Sequence, residues 1–236
     1  MDRLNLLGVE TSSPVFSVAW MKAGHLASFI QANGQGPPSL LLTDLIRQAS
    51  KQAQMDLEDL DGLAISIGPG SFTGLRVGVM TVKTLAWALK KPVVPISSLE
   101  VMASNIQDWE GMIMAFVDAR KGKVYSALFA CSIGQPIRRL TPDRLLLPDQ
   151  AVAWTLKEDA HLLVLGDGLA RYRSLLDPIC SNQPHRIRLA EPHLWIPRAD
   201  RLCQLAQAHW SMDRMDDPHR LVPQYLYSKE SDITGW

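Results

Sequence analysis

Apolar and polar positions alternate over short runs at the start of the chain and then change period. Residues 4–10, 15–21 and 25–31 are three apolar segments separated by Thr11-Ser12-Ser13-Pro14 and by Ala23-Gly24, the punctuation of strands joined by tight turns. Residues 39–54 place Leu41, Leu42, Leu45, Ile46, Ala49 and Ala53 at spacings of three and four behind the break Gly36-Pro37-Pro38, with Ser39 as the expected N-cap. A helix is predicted there. A strand at 63–67 then runs into Gly68-Pro69-Gly70, and a long helical pattern over 72–90 closes at Lys90-Lys91-Pro92. A strand at 93–96 and a short helix at 98–103, capped by Ser97 or Ser98, end this half.

The second half opens in the same way. Residues 112–117 and 123–130 read as a hairpin around Asp118-Ala119-Arg120-Lys121-Gly122, followed by an extended segment at 137–147. A helix at 149–156, a strand at 162–165, a turn at Gly166-Asp167-Gly168 and a helix over 197–210 come next. Two successive βββαβα units predict an internally duplicated α/β fold, with lobes at 1–105 and 106–236. The tail, 224–236, carries Tyr225, Tyr227 and Trp236 and reads equally as frayed or as tied down by those rings.

Composition narrows the function classes. Hydrophobic residues make up 47% of the chain against 20% charged, so a folded core is expected. Lysine plus arginine and aspartate plus glutamate number 24 each, so no global positive field draws the chain onto nucleic acid or anionic lipid. The three cysteines, Cys131, Cys180 and Cys203, lack C-x-x-C spacing and fit a reducing cytosol better than a disulfide framework or a zinc site. No targeting pattern marks the first residues and no apolar run approaches a membrane span, so a cytoplasmic location is expected.

The strongest chemical signal is the glycine-rich turn Gly68-Pro69-Gly70-Ser71-Phe72-Thr73-Gly74 between a strand and a long helix. Backbone N–H groups at such a helix start attract anions, which makes Gly68, Gly70, Ser71, Thr73 and Gly74 candidate nucleotide contacts. Close helix-to-sheet packing accounts for the same glycines, and neither a Walker loop nor a Rossmann turn is present. Glu10, Thr11 and Ser12, at the end of the first strand, are candidates for phosphate or water-bridged magnesium, and turn chemistry explains them as well. Asp118, Arg120 and Asp167 read as turn residues first. No two of the six histidines share a helical face as metal ligands, and no hydrolase elbow is present.

The helix at 72–90 is apolar on two faces, with Arg76, Lys83 and Lys90 as its charged edge. One face suits the sheet; the other, with Val77, Met80, Thr81, Thr84 and Trp87, suits a partner. Leu41 and Leu45 of the preceding helix are expected to extend that surface.

Several segments together resemble the bacterial TsaB (YeaZ) family: Gly8-Val9-Glu10-Thr11-Ser12, the run from Ser66 to Gly78, Ser97-Ser98-Leu99-Glu100, Val117-Asp118-Ala119-Arg120-Lys121-Gly122 and Pro223-Gln224-Tyr225-Leu226. The resemblance covers essentially the whole chain. It implies two lobes of the actin and Hsp70 type, within the RNase H-like superfamily, and a role in making threonylcarbamoyladenosine beside the tRNA anticodon. It implies a non-catalytic scaffold that pairs with a larger catalytic homologue, TsaD, with TsaE as the ATPase partner. Homodimerisation is expected when the chain is alone, and tRNA contact only through the complex. The catalytic homologue's His-x-x-x-His metal ligands fall here on Ser98 and Met102, neither of which replaces an imidazole. No catalytic residue, metal or cofactor is therefore expected. Weak ATP and magnesium binding at the complex level stays open, and a small actin-like ATP-binding enzyme is the alternative function. The chain departs from the family's usual polar triplet at the first helix, carrying Gly36-Pro37-Pro38-Ser39-Leu40, and has Glu10 where many members have aspartate.

Overall fold

A computed structural model describes residues 3–33, 36–155, 160–210 and 215–227. Two compact units emerge: Met1–Val101 with Pro197–Gln224, and Met102–Ile196 with Tyr225–Trp236. The first unit opens with β1 (Leu6–Glu10), β2 (Val15–Lys22) and β3 (His25–Asn33), continues through α1 (Pro38–Ala53), β4 (Gly62–Gly68), α2 (Phe72–Leu89) and β5 (Val93–Ser97), and enters α3 (Ser98–Ala103). Its sheet has the order β3-β2-β1-β4-β5. The hairpin strands pair antiparallel, while β1, β4 and β5 run parallel because helices supply the crossovers.

Side-chain alternation on β1 explains the layering. Leu7 and Val9 join Leu42, Leu45, Ile46, Val79 and Val82 in one buried cluster beneath α1 and α2. Gly8 points the other way, where a Cβ would stand 2.4 Å from Cys203 Sγ and 2.9 Å from the Ala199 carbonyl. Both atoms belong to α6 (Ala199–Trp210), which covers the second face of this sheet. The Ala199 amide also donates to Ser17 Oγ at 3.0 Å. Residues 197–210 were expected to close the second lobe. Helical periodicity shows that a helix is amphipathic without showing which sheet it covers, and the small, apolar second face of β1 and β2 claims this one.

The second unit contains β6 (Gly111–Arg120), β7 (Lys123–Cys131), the short β8 (Arg138–Arg139) and β9 (Arg144–Leu146), α4 (Pro148–Thr155), β10 (Leu162–Leu165), α5 (Gly168–Asn182) and β11 (Ile187–Leu189). Its order, β11-β10-β6-β7-β8 with β9 also on β7, repeats that of the first sheet read from the opposite edge. The expected duplication is present. Two details differ: the segment 137–147 is two short strands, and α5 was not anticipated. Leu169, Tyr172, Leu176 and Ile179 give α5 an apolar face, but Pro178 within it and the non-helical Tyr172 (φ −116°) interrupt the pattern. Residue 156, expected to end α4, and the tail beyond 227 lie outside the described residues.

Local signals hold at most boundaries. Ser71 caps α2, its Oγ accepting from the Gly74 amide at 3.3 Å, and Lys90 closes the helix in the left-handed region at φ 56°. At α1 the cap is Pro37 rather than Ser39, because Pro38 fills the first helical position, where no amide hydrogen is needed. Tyr227, at the start of the tail, is tied down: its hydroxyl donates toward the Ala119 and Arg120 carbonyls at 3.0 Å each.

Candidate functional site

The glycine turn and the first hairpin meet in the N-terminal unit. The Ser71 amide donates to the Ser12 carbonyl at 2.7 Å, so the helix start is already engaged by the chain itself. A Cβ at Gly70 would fall 2.3 Å from Ser12 O, at Gly74 2.0 Å from Thr11 O and at Gly78 2.1 Å from Thr11 Oγ1. The 11–12 turn therefore occupies the space that these glycines open. Gly68 has φ +112°, a conformation that glycine tolerates without strain.

Of the candidate nucleotide contacts, Ser71 and Thr73 are exposed and Gly70 is half-buried, whereas Glu10, Thr11, Ser12, Gly68 and Gly74 are buried. Glu10 Oε1 accepts from the Ser12 amide at 2.7 Å and from its hydroxyl at 2.5 Å. Burial raises the Glu10 carboxyl above its ordinary value, and hydrogen bonds from Ser12 only partly counter this. The other carboxylate oxygen, Glu10 Oε2, and Thr11 Oγ1 are buried without a hydrogen-bond partner. A carboxylate enclosed in this way does not fit a hydrated magnesium ion, which needs room for its waters.

Ser98 and Met102, where the family resemblance implies the catalytic homologue's histidines, are both buried, and the Ser98 hydroxyl donates to the Pro69 carbonyl, bracing the glycine turn. Among the described residues, no three His, Cys, Asp or Glu side chains gather in a way that could hold a metal.

The two helices on the face of the sheet opposite α6 present a different surface. Met80 is 58% exposed and Trp87 63%, with Thr84 between them on the same stripe of α2. Val77 and Thr81 are half-buried at its margin. Phe72, 53% exposed, starts the stripe with the Arg76 guanidinium 3.7 Å above its ring. On α1, Leu41 is half-buried and packs on the core, and Leu45 is buried. Leu45 thus does not belong to an outer surface: its spacing from Leu42, Ile46 and Ala49 turns it toward the sheet. Leu40, 64% exposed, is the apolar residue that α1 does show. Phe72 and Leu40 were not singled out from the sequence, because each lies in the first turn of its helix, where the facing depends on the cap.

The charged edge of α2 is partly committed to the chain's own return segment. Lys83 Nζ donates to the His219 and Leu221 carbonyls at 3.0 and 3.2 Å. Beyond Trp87, an open groove of about 750 Å³ runs between Lys91 and Pro92 on one side and Asp216 and His219 on the other. Trp87 and Pro92 line it together with the charged Lys90, Lys91, Asp216 and Asp217.

In the second unit, Asp118 and Asp167 hold corresponding turns together. The Asp118 amide donates to Asp167 Oδ1 at 2.9 Å, and Asp118 Oδ1 accepts from the Arg120 amide at 2.9 Å. Burial raises the Asp167 carboxyl. Gly166 and Gly168 press on the Phe116 carbonyl as Gly70 and Gly74 press on the first turn, with built Cβ distances of 2.4 and 2.6 Å. The duplication extends to this packing device.

Comparisons with known proteins agree with the geometry. The family model described as TsaD, tRNA N6-adenosine threonylcarbamoyltransferase, matches residues 39–162, more than half of the chain. A Bacillus subtilis protein named tRNA threonylcarbamoyladenosine biosynthesis protein TsaB is 27% identical over 229 residues, spanning 97% of this chain and 96% of its own. A Bartonella tribocorum tRNA N6-adenosine threonylcarbamoyltransferase is 36% identical, but over 99 residues that make up 39% of this chain and 26% of the transferase. The solved structure of YeaZ from Pseudomonas aeruginosa superposes with a TM-score of 0.78 at 25% identity, covering 94% of this chain and all of that one. Full-length agreement with TsaB and partial agreement with the transferase lead to one assignment: the chain belongs to the TsaB (YeaZ) family, whose proteins serve tRNA threonylcarbamoyladenosine biosynthesis.

Proposed function

We propose that this protein is a scaffold and activator subunit in tRNA threonylcarbamoyladenosine biosynthesis, pairing with a larger TsaD-type homologue that carries out threonylcarbamoyl transfer. The observation that carries this reading is the exposed stripe of Phe72, Met80, Thr84 and Trp87 on α2, together with an exposed Leu40 on α1. Both helices already bury one face on their own sheet, and large apolar side chains left clustered in water mark an association surface. The enclosed turn around Glu10, whose Oε1 is held by Ser12, and the presence of Ser98 and Met102 where the family resemblance implies two ligand histidines support a subunit that does no chemistry of its own. A TsaE-type ATPase completes the assembly, the same stripe supports a homodimer when the chain is alone, and tRNA engages the assembled complex.

Light scattering on a sizing column tests the pairing, with the chain alone and then mixed with the TsaD-type homologue from the same genome. A one-to-one complex that replaces any homodimer is expected. Met80→Glu and Trp87→Glu place charges on the stripe that a partner would desolvate and are expected to weaken the complex at least tenfold, since large apolar anchors carry most of an interface's free energy. An unchanged complex with both variants refutes this surface.

A further inference from the structure

The tip of the β6–β7 hairpin has features that the scaffold reading does not use. Arg120, Lys121 and Gly122 are three successive residues in the left-handed region, at φ 65°, 49° and 72°. Glycine or asparagine makes such a turn at the least strain, and an arginine or lysine there costs on the order of 1 kcal/mol each. A Cβ built on Gly122 meets nothing within 4 Å, so the tip projects into open space. Strained positions that carry charged side chains at an open tip point to a task other than turning the chain.

The surrounding charges define that task. Arg171 Nη1 and Arg120 Nη1 approach the same oxygen, Asp118 Oδ2, at 3.3 and 3.7 Å. The two guanidinium side chains are 52% and 82% exposed, whereas the carboxylate is only 10% exposed. One carboxylate oxygen thus sits between two guanidinium side chains that are themselves largely exposed. Lys123 adds a third cation, its Nζ 5.5 Å from the centre of the Tyr227 ring. Tyr227 in turn braces the turn through the Ala119 and Arg120 carbonyls, and Arg171 rests over Tyr172 at 5.5 Å. Within this group Arg120, Lys121, Lys123 and Arg171 stand against Asp118 and Asp167, a local positive surplus on a chain whose formal net charge is zero.

We propose that Arg120, Arg171 and Lys123 form a phosphate-binding site that engages the phosphodiester backbone of the tRNA substrate. Paired guanidinium forks match phosphate oxygens bidentately, and a lysine supplies a further point charge. Phosphate contacts of this kind set register without reading bases, the contribution expected of a positioning subunit. A chain with no net charge then contacts RNA at one built point rather than over a basic face. The inference rests on the tRNA-modification role, but not on which surface pairs with the transferase.

The test is titration of fluorescein-labelled tRNA at several salt concentrations, with the chain alone and with its complex with the TsaD-type subunit. The variants are Arg120→Gln/Arg171→Gln and, in the opposite direction, Asp118→Asn, which releases both guanidiniums from their shared carboxylate while keeping an acceptor for the Arg120 amide. The double variant should bind tRNA about tenfold more weakly, with a salt slope smaller by roughly 1 to 2, as expected when two phosphate contacts are lost. Asp118→Asn should bind more tightly. Thermal melts confirm that both variants fold. Identical affinities and slopes for all three proteins overturn the proposal, as does the absence of salt-dependent binding by the wild type in both formats. If the double variant loses affinity for ATP with magnesium while tRNA binding is unchanged, the phosphate belongs to a nucleotide and the RNA site is refuted. Failure to pair with the transferase on the sizing column refutes the scaffold reading instead, and the titration of the chain alone still decides the hairpin.

Discussion

Replacing Gly74 by alanine adds one methyl group at the helix start and sets two effects against each other. Alanine is favoured over glycine in a helix by about 1 kcal/mol. The new Cβ, however, stands 2.0 Å from the Thr11 carbonyl oxygen, about 1 Å inside the closest approach that real Cβ atoms make. Thr11 has little freedom to yield. It is fully buried, and the next residue is held at both ends, its amide on Glu10 Oε1 and its carbonyl under the Ser71 amide, each at 2.7 Å. Overpacking costs about 1–3 kcal/mol, and straining the two hydrogen bonds adds about 1 kcal/mol. A net loss of about 1–3 kcal/mol follows, lowering the melting temperature by roughly 2–12 °C for a chain of this size.

Gly78→Ala is the informative companion. Its Cβ would meet Thr11 Oγ1 at 2.1 Å, a side-chain atom that mutation can remove. Thr11→Ala should therefore rescue Gly78→Ala with a coupling of about 1–2 kcal/mol and leave Gly74→Ala unrescued, since the obstacle there is backbone. Circular dichroism melts of the four proteins and the two double variants measure this. A Gly74→Ala melting temperature at or above that of the wild type, or equal rescue of both variants by Thr11→Ala, refutes the packing account of these glycines.

Two further outcomes follow from buried ionisable groups. Burial raises the Glu10 carboxyl, so the folded protein keeps a proton that the unfolded chain has released. This contribution to stability is fully present below the unfolded value and is lost as pH rises through the raised folded value. Glu10→Gln keeps the acceptor for Ser12 and removes the titration; denaturation curves should show it flatter than wild type across that window and more stable at neutral pH, and an unchanged slope contradicts the assignment. Burial also raises all three thiols, but Cys131 and Cys203 are buried whereas Cys180 is half-buried. A thiol reagent should modify Cys180 slowly in the native protein and the other two only after unfolding; fast labelling of Cys203 would contradict the α6 packing.

Short-range physics made much of this protein legible in its residues. Alternation and turn residues marked the opening strands of both halves, helical spacing marked α1 and α2, and the long motif around Gly68 to Gly78 carried the family resemblance. These features depend on neighbours within a few residues, which the order of side chains specifies directly. The role of Gly70, Gly74 and Gly78 was not separable from anion binding by sequence, because both need a missing Cβ. Only the approach of Thr11 and Ser12, some 60 residues away along the chain, distinguishes the two. The same holds for Leu45 and Leu40, both apolar on one helix, one facing the sheet and the other water. It holds for α6, which returns from beyond the second unit's strands to cover β1 and β2, and for Arg120 and Arg171, which meet on Asp118 although 51 residues apart in sequence. Sequence determined which segments bury a face; tertiary structure decided what each face is buried against, because that choice depends on long-range closure of the chain.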